Sequence, residues 1–451
     1  MSEQGKGIAA PISTAADGLL SRALSRVVAV KPGEVAAVGW SWLYIFAVLS
    51  AYYIIRPIRD QMGVAGGVGN LQWLFMGTLT VMLLVNIPFG LLVKMLPRTR
   101  FIPITYRCFA AVILLFALAL HWADAAQTVW VGRAFFIWVS VFNLFVVSVF
   151  WALVVDIFSS EDGKRLFGFI AAGATLGAIV GSALTASLAR YVPTAALLFG
   201  SVALLEVAVF SVGGLARQSA TLHTRPAAEA GEWAVGGHVL AGITHPFKSL
   251  YLCNVSLFLL LFAITSTFLY FQQAGIVSRS FHDRGTQTAF FASVDLAVNA
   301  LTLFIQLFLT GSIVRAVGVG PTLAFLPALT LVGFGALALM PTLASLVAFQ
   351  VVRRSGDYAV ARPTREVLYT VVAREDRYKA KSFIDTVVYR AGDQVGAWSF
   401  TLLSWLGLGP AGIAIAAGLL SSAWLANALW LGRRQDRLAA ELGTPSAGRS
   451  G

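Results

Sequence analysis

The sequence predicts an all-α polytopic membrane protein, with about twelve transmembrane helices in two pseudo-symmetric six-helix bundles, on three observations. Of 451 residues 58% are hydrophobic and only 12% charged, with mean hydropathy +0.78, whereas soluble domains carry about 25% charged residues. Apolar windows of about 20 residues recur about twelve times along the chain, the length a helix needs to cross roughly 30 Å of hydrocarbon. The two halves of the chain also echo one another.

Residues 1–36 read as a cytoplasmic N-terminal segment. Its first 17 residues lack an apolar core with a small-residue cleavage site, so no secretory signal is expected. Between 18 and 30, Leu20, Leu24, Val27 and Val28 share one helical face and Arg22 and Arg26 another, the pattern of an interfacial helix or a basic tail. Spans are then expected at 39–57, 71–96, 101–121, 129–156, 166–190 and 194–216, forming a first bundle over 37–216. Residues 217–247, the longest polar stretch, read as a cytoplasmic linker. A second bundle over 248–432 follows, with spans at 249–273, 287–311, 321–341, 343–361, 382–406 and 410–431, and then a cytoplasmic tail at 433–451.

Most Lys and Arg fall in the loops of one side, including Lys94, Arg98 and Arg100, the linker, and Arg433, Arg434 and Arg437. The positive-inside rule places that side and both termini in the cytoplasm of a cell whose inner (plasma) membrane the chain spans. It also accounts for the formal net charge of +12 without nucleic acid, which would need a basic solvent-exposed face. Cys108 and Cys253 lie far apart in apolar segments and read as neither redox pair nor metal knuckle. Trp40, Trp42, Tyr44, Trp73, Trp122 and Trp130 read as interface anchors.

The echo has a register. Glu161-Asp162 and Phe169-Ile170 recur as Glu375-Asp376 and Phe383-Ile384, both at a shift of 214 residues, and SAYYII (50–55) falls on TSTFLY (265–270) at almost the same shift. A duplicated six-helix unit with a cytoplasmic linker is similar to the layout of the major facilitator superfamily, which implies a substrate site near mid-membrane between the halves.

No GxxxxGK[ST], HExxH or GxSxG pattern occurs and the five histidines fall in loops and span ends, so no catalytic centre, metal or cofactor is expected. What the spans do carry is charge. Arg56, Arg59 and Asp60 end the first; Asp295, Asn299 and Gln306 run along the eighth; Asp385, Arg390, Asp393 and Gln394 interrupt the eleventh; Arg353, Arg354 and Asp357 sit in the tenth. Any one of these reads most simply as an interhelical ion pair or a snorkelling group. An arginine at bilayer centre costs roughly 2.5–3.5 kcal/mol, however, and so many imply a shared aqueous pathway. The excess of arginine points to an anionic solute, since guanidinium grips phosphate or carboxylate through paired hydrogen bonds. Asp295 and Glu206 are candidates for proton coupling or for helix packing. Gly173, Gly177 and Gly181 form a small-xxx-small packing stripe, and Pro57, Pro103, Pro327 and Pro410 are expected to kink or bound helices.

Three segments resemble the ATP/ADP translocase family, the nucleotide transporters of plastids and intracellular bacteria. Where that family's first span ends Arg-Asp-Thr-Lys-Asp, this chain reads Arg56-Pro57-Ile58-Arg59-Asp60. The family's Phe-Trp, Glu and Lys-Arg-Phe series is matched by Phe150, Trp151, Glu161, Lys164 and Arg165, with Leu166 before Phe167. Its Pro-Thr-Lys-Glu-x-x-Tyr, lysine cluster and Ile-Asp are matched by Pro363, Thr364, Arg365, Glu366, Tyr369, Lys379, Lys381, Ile384 and Asp385. Arg59 and Arg365 stand where the family has lysine, Pro57 where it has an acid, and Ala380 where it has glycine.

The resemblance implies a carrier that exchanges nucleotides of the ATP/ADP type, or a similar phosphorylated anion, by alternating access. Arg56, Arg59, Asp60, Lys379, Lys381, Asp385, Arg390 and Asp393 are then the substrate-binding candidates. Glu161, Lys164, Arg165, Asp295, Arg365 and Glu366 are the coupling or gating candidates. The alternative is a proton-coupled major facilitator transporter of another organic anion or drug, and from a different class a non-transporting scaffold. Lipid and a small anion are the expected partners, and a monomer the expected state.

Overall fold

The computed structural model describes residue 31 and residues 34–95, 98–158, 160–222, 249–309, 317–372, 380–381 and 383–443. The expected interfacial helix at 18–30 and most of the linker lie outside these residues. Among them the chain is almost wholly helical, and ten helices are long and apolar enough to cross a membrane. We number the helices α1 Val35–Ala65, α2 Leu71–Met95, α3 Arg98–Trp122, α4 Ala125–Ile157, α5 Ser160–Leu188, α6 Thr194–Leu222, α7 Leu250–Ser280, α8 Arg284–Phe308 and α9 Val319–Leu339. Helix α10 is composite: Leu343–Gly356, a π-helical turn Asp357–Ala361, then Arg362–Val367. Helix α11 opens on a second π-helical turn, Ile384–Val388, and continues as Tyr389–Trp405. Helix α12 is Pro410–Gly443.

Ten rather than twelve segments qualify because π turns and charges interrupt α10 and α11, whose longest α-helical runs are 14 and 17 residues. The expected boundaries shift elsewhere too. Helix α1 does not end at residue 57; it runs through Pro57 to Ala65, so Arg56, Arg59 and Asp60 lie inside it. One proline deletes a single backbone donor, which flanking packing can tolerate in a membrane helix. Helix α6 continues to Leu222, beyond the expected bundle edge at 216, and α12 carries Arg433, Arg434 and Arg437 on helix rather than on a tail. Pro88, Pro103 and Pro327 also lie inside helices. Tyr44 is no interface anchor: it is fully buried and donates to Tyr106 Oη at 2.8 Å.

Helix starts are written locally. Asp124 and Gln127 cap α4 reciprocally, Thr342 and Ser345 do the same for α10, and Asp283 accepts from Thr286 N at 2.7 Å to start α8. Such caps satisfy orphan N–H groups, and these backbone bonds hold the Asp283 carboxyl below the usual carboxylate range.

The glycine stripe packs α5 on α1. A Cβ at Gly177 would overlap the Phe46 carbonyl, one at Gly181 the Ser50 carbonyl, and one at Gly173 would stand 3.0 Å from Trp42 O. Ser50 Oγ donates to Gly177 O at 3.0 Å across the same seam. The second half repeats the device, with Gly392 against Leu260 and Ala263 and Gly396 against Ile264 and Thr267, so α11 packs on α7. Gly177 and Gly181 map to Gly392 and Gly396 at a shift of 215 residues, matching the register of the sequence echo. Between the halves α5 meets α8 and α2 meets α11, two contacts that a pseudo-twofold axis exchanges.

The halves share an apolar cluster at one end. Val64, Leu71, Leu74 and Phe136 of the first half join Ile264, Phe268, Phe271 and Phe291 of the second. At the other end, where α1 and α7 begin, the second half closes on its own cluster around Tyr251, Leu259, Leu368 and Trp424, which no buried first-half residue joins among those described. The first end is therefore closed, and above it lies a cavity between the halves.

Candidate functional site

The cavity, about 320 Å³, lies at the low end of the roughly 300–1,000 Å³ of ligand sites. Among the described residues six arginines and four aspartates line it, drawn from α1, α8, α10 and α11, with Asp357 in the π turn of α10. Most are paired. Asp60 accepts from Arg59 Nη2 at 2.6 Å and from Tyr270 Oη of the opposite half at 3.0 Å. Asp393 accepts from Arg390 Nη1 at 3.1 Å, and Asp357 from Arg362 Nε at 3.0 Å. That last pair is spaced five residues apart, and the π turn, with its i to i+5 repeat, sets the two groups side by side.

Two arginines share one carboxylate. Asp295 Oδ1 lies 2.7 Å from Arg354 Nη1, and Asp295 Oδ2 lies 3.5 Å from Arg56 Nε of the first half. Arg56 Nε, Asp295 Oδ2 and Arg354 Nη2 are buried without a hydrogen-bond partner. Arg353, 3% exposed, has no carboxylate within 4.0 Å among the described residues. Its Nε donates to Thr330 Oγ1 at 3.1 Å, and its Nη2 to Ser266 Oγ at 2.9 Å and Thr265 Oγ1 at 3.2 Å. Neutral oxygens satisfy its donors but not its charge.

Aromatic faces accompany the guanidiniums. Arg59 sits over Phe136 at 5.1 Å, Arg353 over Phe262 at 5.2 Å and Arg362 over Tyr358 at 4.4 Å. Such contacts are worth about 0.5–2 kcal/mol each, the more so when desolvated. Further bonds join the halves beside the cavity: Gln394 Nε2 donates to Phe75 O at 3.0 Å and Gln61 Nε2 to Gln287 Oε1 at 3.5 Å.

Of the expected site residues, Arg56, Arg59, Asp60, Asp295, Arg390 and Asp393 line this cavity. Lys381 and Asp385 do not: Lys381 bonds Glu366 Oε2 at 2.5 Å and Asp385 lies 3.7 Å from Arg365. All four belong to the second half at its open end, because Asp385 lies in the π turn that starts α11 and Arg365 and Glu366 in the last turn of α10. Arg165 pairs at the open end of the first half with Glu34 at 2.9 Å and Asp162 at 2.8 Å. Lys379 and the side chains of Glu161 and Lys164 lie outside the described residues. Glu206 faces away from the cavity. It is 48% exposed and 3.6 Å from Arg107, itself 65% exposed, on the outer surface of α3 and α6, so it takes no part in this site.

Arg353, Arg354, Asp357 and Arg362 complete the lining. Three charges within five residues of an apolar span marked the first three, but which of them lacks a counter-ion depends on residues up to 91 positions away.

No family model matches the chain, and no curated protein matches it. Among solved structures it is similar to a bacterial homologue of the human lysosomal transporter Spinster, solved inward-facing and unoccupied. The TM-score is 0.54 at 13% identity, over 93% of this chain and 100% of that one. It is also similar to a POT family peptide transporter solved with sulfate, with TM-score 0.59 and 14% identity over 89% of this chain and 95% of that one. A third likeness is to the nucleoside transporter NupG, with TM-score 0.51 and 14% identity over 90% and 99%. At these identities the likeness shows the fold: the described residues form a nearly all-helical, multi-span membrane fold with the architecture of these transporters.

Proposed function

We propose that this protein is a secondary carrier that exchanges small organic anions, a nucleotide or similar phosphorylated solute foremost, by alternating access. The observation that carries the reading is the cavity between the halves, where six arginines face four aspartates. Guanidinium binds phosphate and carboxylate bidentately, and the partly exposed rings of Tyr270 and Tyr358 in the lining are surfaces on which a planar base can stack. The fold likeness to a nucleoside transporter and the segments resembling ATP/ADP translocases point the same way.

In this reading Arg56 and Arg59 contact the anion, and Arg390 and Asp393 form a charge pair that reorganises on binding. Lys381 and Glu366 flank the mouth. The open end is the side richer in Lys and Arg loops, so the state is inward-open in an inner membrane with cytoplasmic termini. Uptake of labelled AMP, ADP and ATP by intact cells expressing the chain tests the proposal. Accumulation that Arg59→Gln reduces at least tenfold is expected; no uptake of any nucleotide by the unmutated chain removes nucleotides from the proposal.

A further inference from the structure

We infer that the cavity selects a solute carrying two negative charges, and that Arg353 sets this valence. The inference rests on the anion-carrier reading and narrows it. Arg59, Arg362 and Arg390 are each matched by an aspartate of their own: Asp60, Asp357 and Asp393. Asp295 serves Arg56 and Arg354 together, which leaves one positive charge shared by that trio. Arg353 hydrogen-bonds neutral oxygens only, and the carboxylate that acts on it, Asp357, is already paired with Arg362, which leaves a second. The described lining thus holds a net excess of two positive charges, six arginines to four aspartates.

Uncompensated charge in a desolvated site is costly, and an incoming anion relieves that cost in proportion to its own charge, until the site is neutral. A monoanion leaves one guanidinium unmatched. A tri- or tetra-anion overshoots and must keep excess negative charge inside a protein cavity, near Asp60, Asp357 and Asp393. Arg353 and Arg354, which carry these two charges, both line the same cavity. A donor is also available: Arg353 lines the cavity and its Nη1 has no hydrogen bond among the described residues. A phosphate monoester or a dicarboxylate has the matching charge. AMP fits on this count, and ATP does not.

The test is a valence series on the purified full-length chain in magnesium-free buffer at pH 7.5, read by ligand-induced thermal shift and repeated as transport in proteoliposomes. Probes are glycerol 3-phosphate against its methyl phosphodiester, succinate against succinamate, and AMP against ADP and ATP. The dianion of each pair should bind roughly tenfold to a hundredfold tighter than its monoanionic analogue, the worth of one charge-assisted contact, and AMP tighter than ATP. Whichever of glycerol 3-phosphate and succinate binds more tightly identifies the dianion as phosphate or carboxylate. Arg353→Gln should erase the preference for the dianion while sparing the monoanion, and Arg353→Lys, which keeps the charge, should retain it. Should Arg353→Gln fail to fold, the unmutated series alone decides. Equal binding of mono- and dianions, tightest binding by ATP, or no binding of any anion overturns the inference. Transport that favours monoanions or uncharged solutes over dianions overturns it and leaves a carrier standing; valence-selective binding without transport leaves it standing and removes the carrier.

Discussion

Asp295 is a single carboxylate, 2% exposed, between guanidiniums of opposite halves. Removing one partner of a buried ion pair typically costs about 3–5 kcal/mol, because the partner's charge is left unmatched; here two arginines would face each other across the seam. Asp295→Asn should therefore lower the unfolding midpoint markedly in purified protein, and Asp295→Glu should recover much of the loss. Glu206→Gln, on the outer surface beside Arg107, should leave transport unchanged. The contrast marks what was legible at this scale. An acidic residue inside an apolar run is visible in the sequence, but Asp295 and Glu206 looked alike there. Only the helix rotations turn one toward Arg56 and Arg354 and the other toward the membrane. The resemblance to nucleotide translocases pointed to Arg56, Arg59 and Asp60, which do line the cavity, and equally to Lys381 and Asp385, which pair instead at the open end.

At the scale of elements, the seam between α1 and α5 depends on the absence of side chains. Gly177→Ala should destabilise the protein by about 1–3 kcal/mol, the usual cost of forcing a methyl into packed backbone. Gly168→Ala, on the same helix with nothing within 4 Å of its Cβ position, should be neutral or gain up to about 1 kcal/mol from helix propensity. Thermal unfolding of the two variants checks both, and equal effects would mean that the seam is not close-packed. This seam was readable as a small-xxx-small stripe, since the spacing of glycines is a local pattern. The π turns at Asp357–Ala361 and Ile384–Val388 were not. Their extra residue per turn leaves no mark in composition or hydrophobic period, and tertiary packing alone selects them. For the same reason the end of the first span was misplaced. Arg59 and Asp60 look like a polar boundary, whereas in the fold Tyr270 Oη bonds Asp60 and Phe136 covers Arg59, so the helix runs on to Ala65.

At the scale of the molecule, the two halves meet at one end through an apolar cluster and through Gln61 with Gln287, Tyr270 with Asp60 and Gln394 with Phe75. Alternating access requires that end to part. In a background lacking Cys108 and Cys253, Gln61→Cys with Gln287→Cys joined by a short reducible cross-linker should stop transport, and reduction should restore it. Continued transport by the cross-linked protein would show that this end does not open. The nearly all-helical, many-span architecture was foreseeable, because it follows from span length and duplication. The balance of charge across the cavity was not, because it is a sum over four helices.

Helices α10 and α11 also bear on biosynthesis. They are absent from the ten segments apolar enough to cross a membrane, and each arginine or aspartate at the middle of a nascent segment adds roughly 2.5–3.5 kcal/mol to its partitioning into lipid. Among the described residues, the groups outside α10 that meet Arg353 and Arg354 include Phe262, Thr265 and Ser266 on α7, Asp295 on α8 and Thr330 on α9, and all five are translated before α10. By the time the ribosome delivers α10 to the translocon, a polar berth for its guanidiniums has already been synthesised.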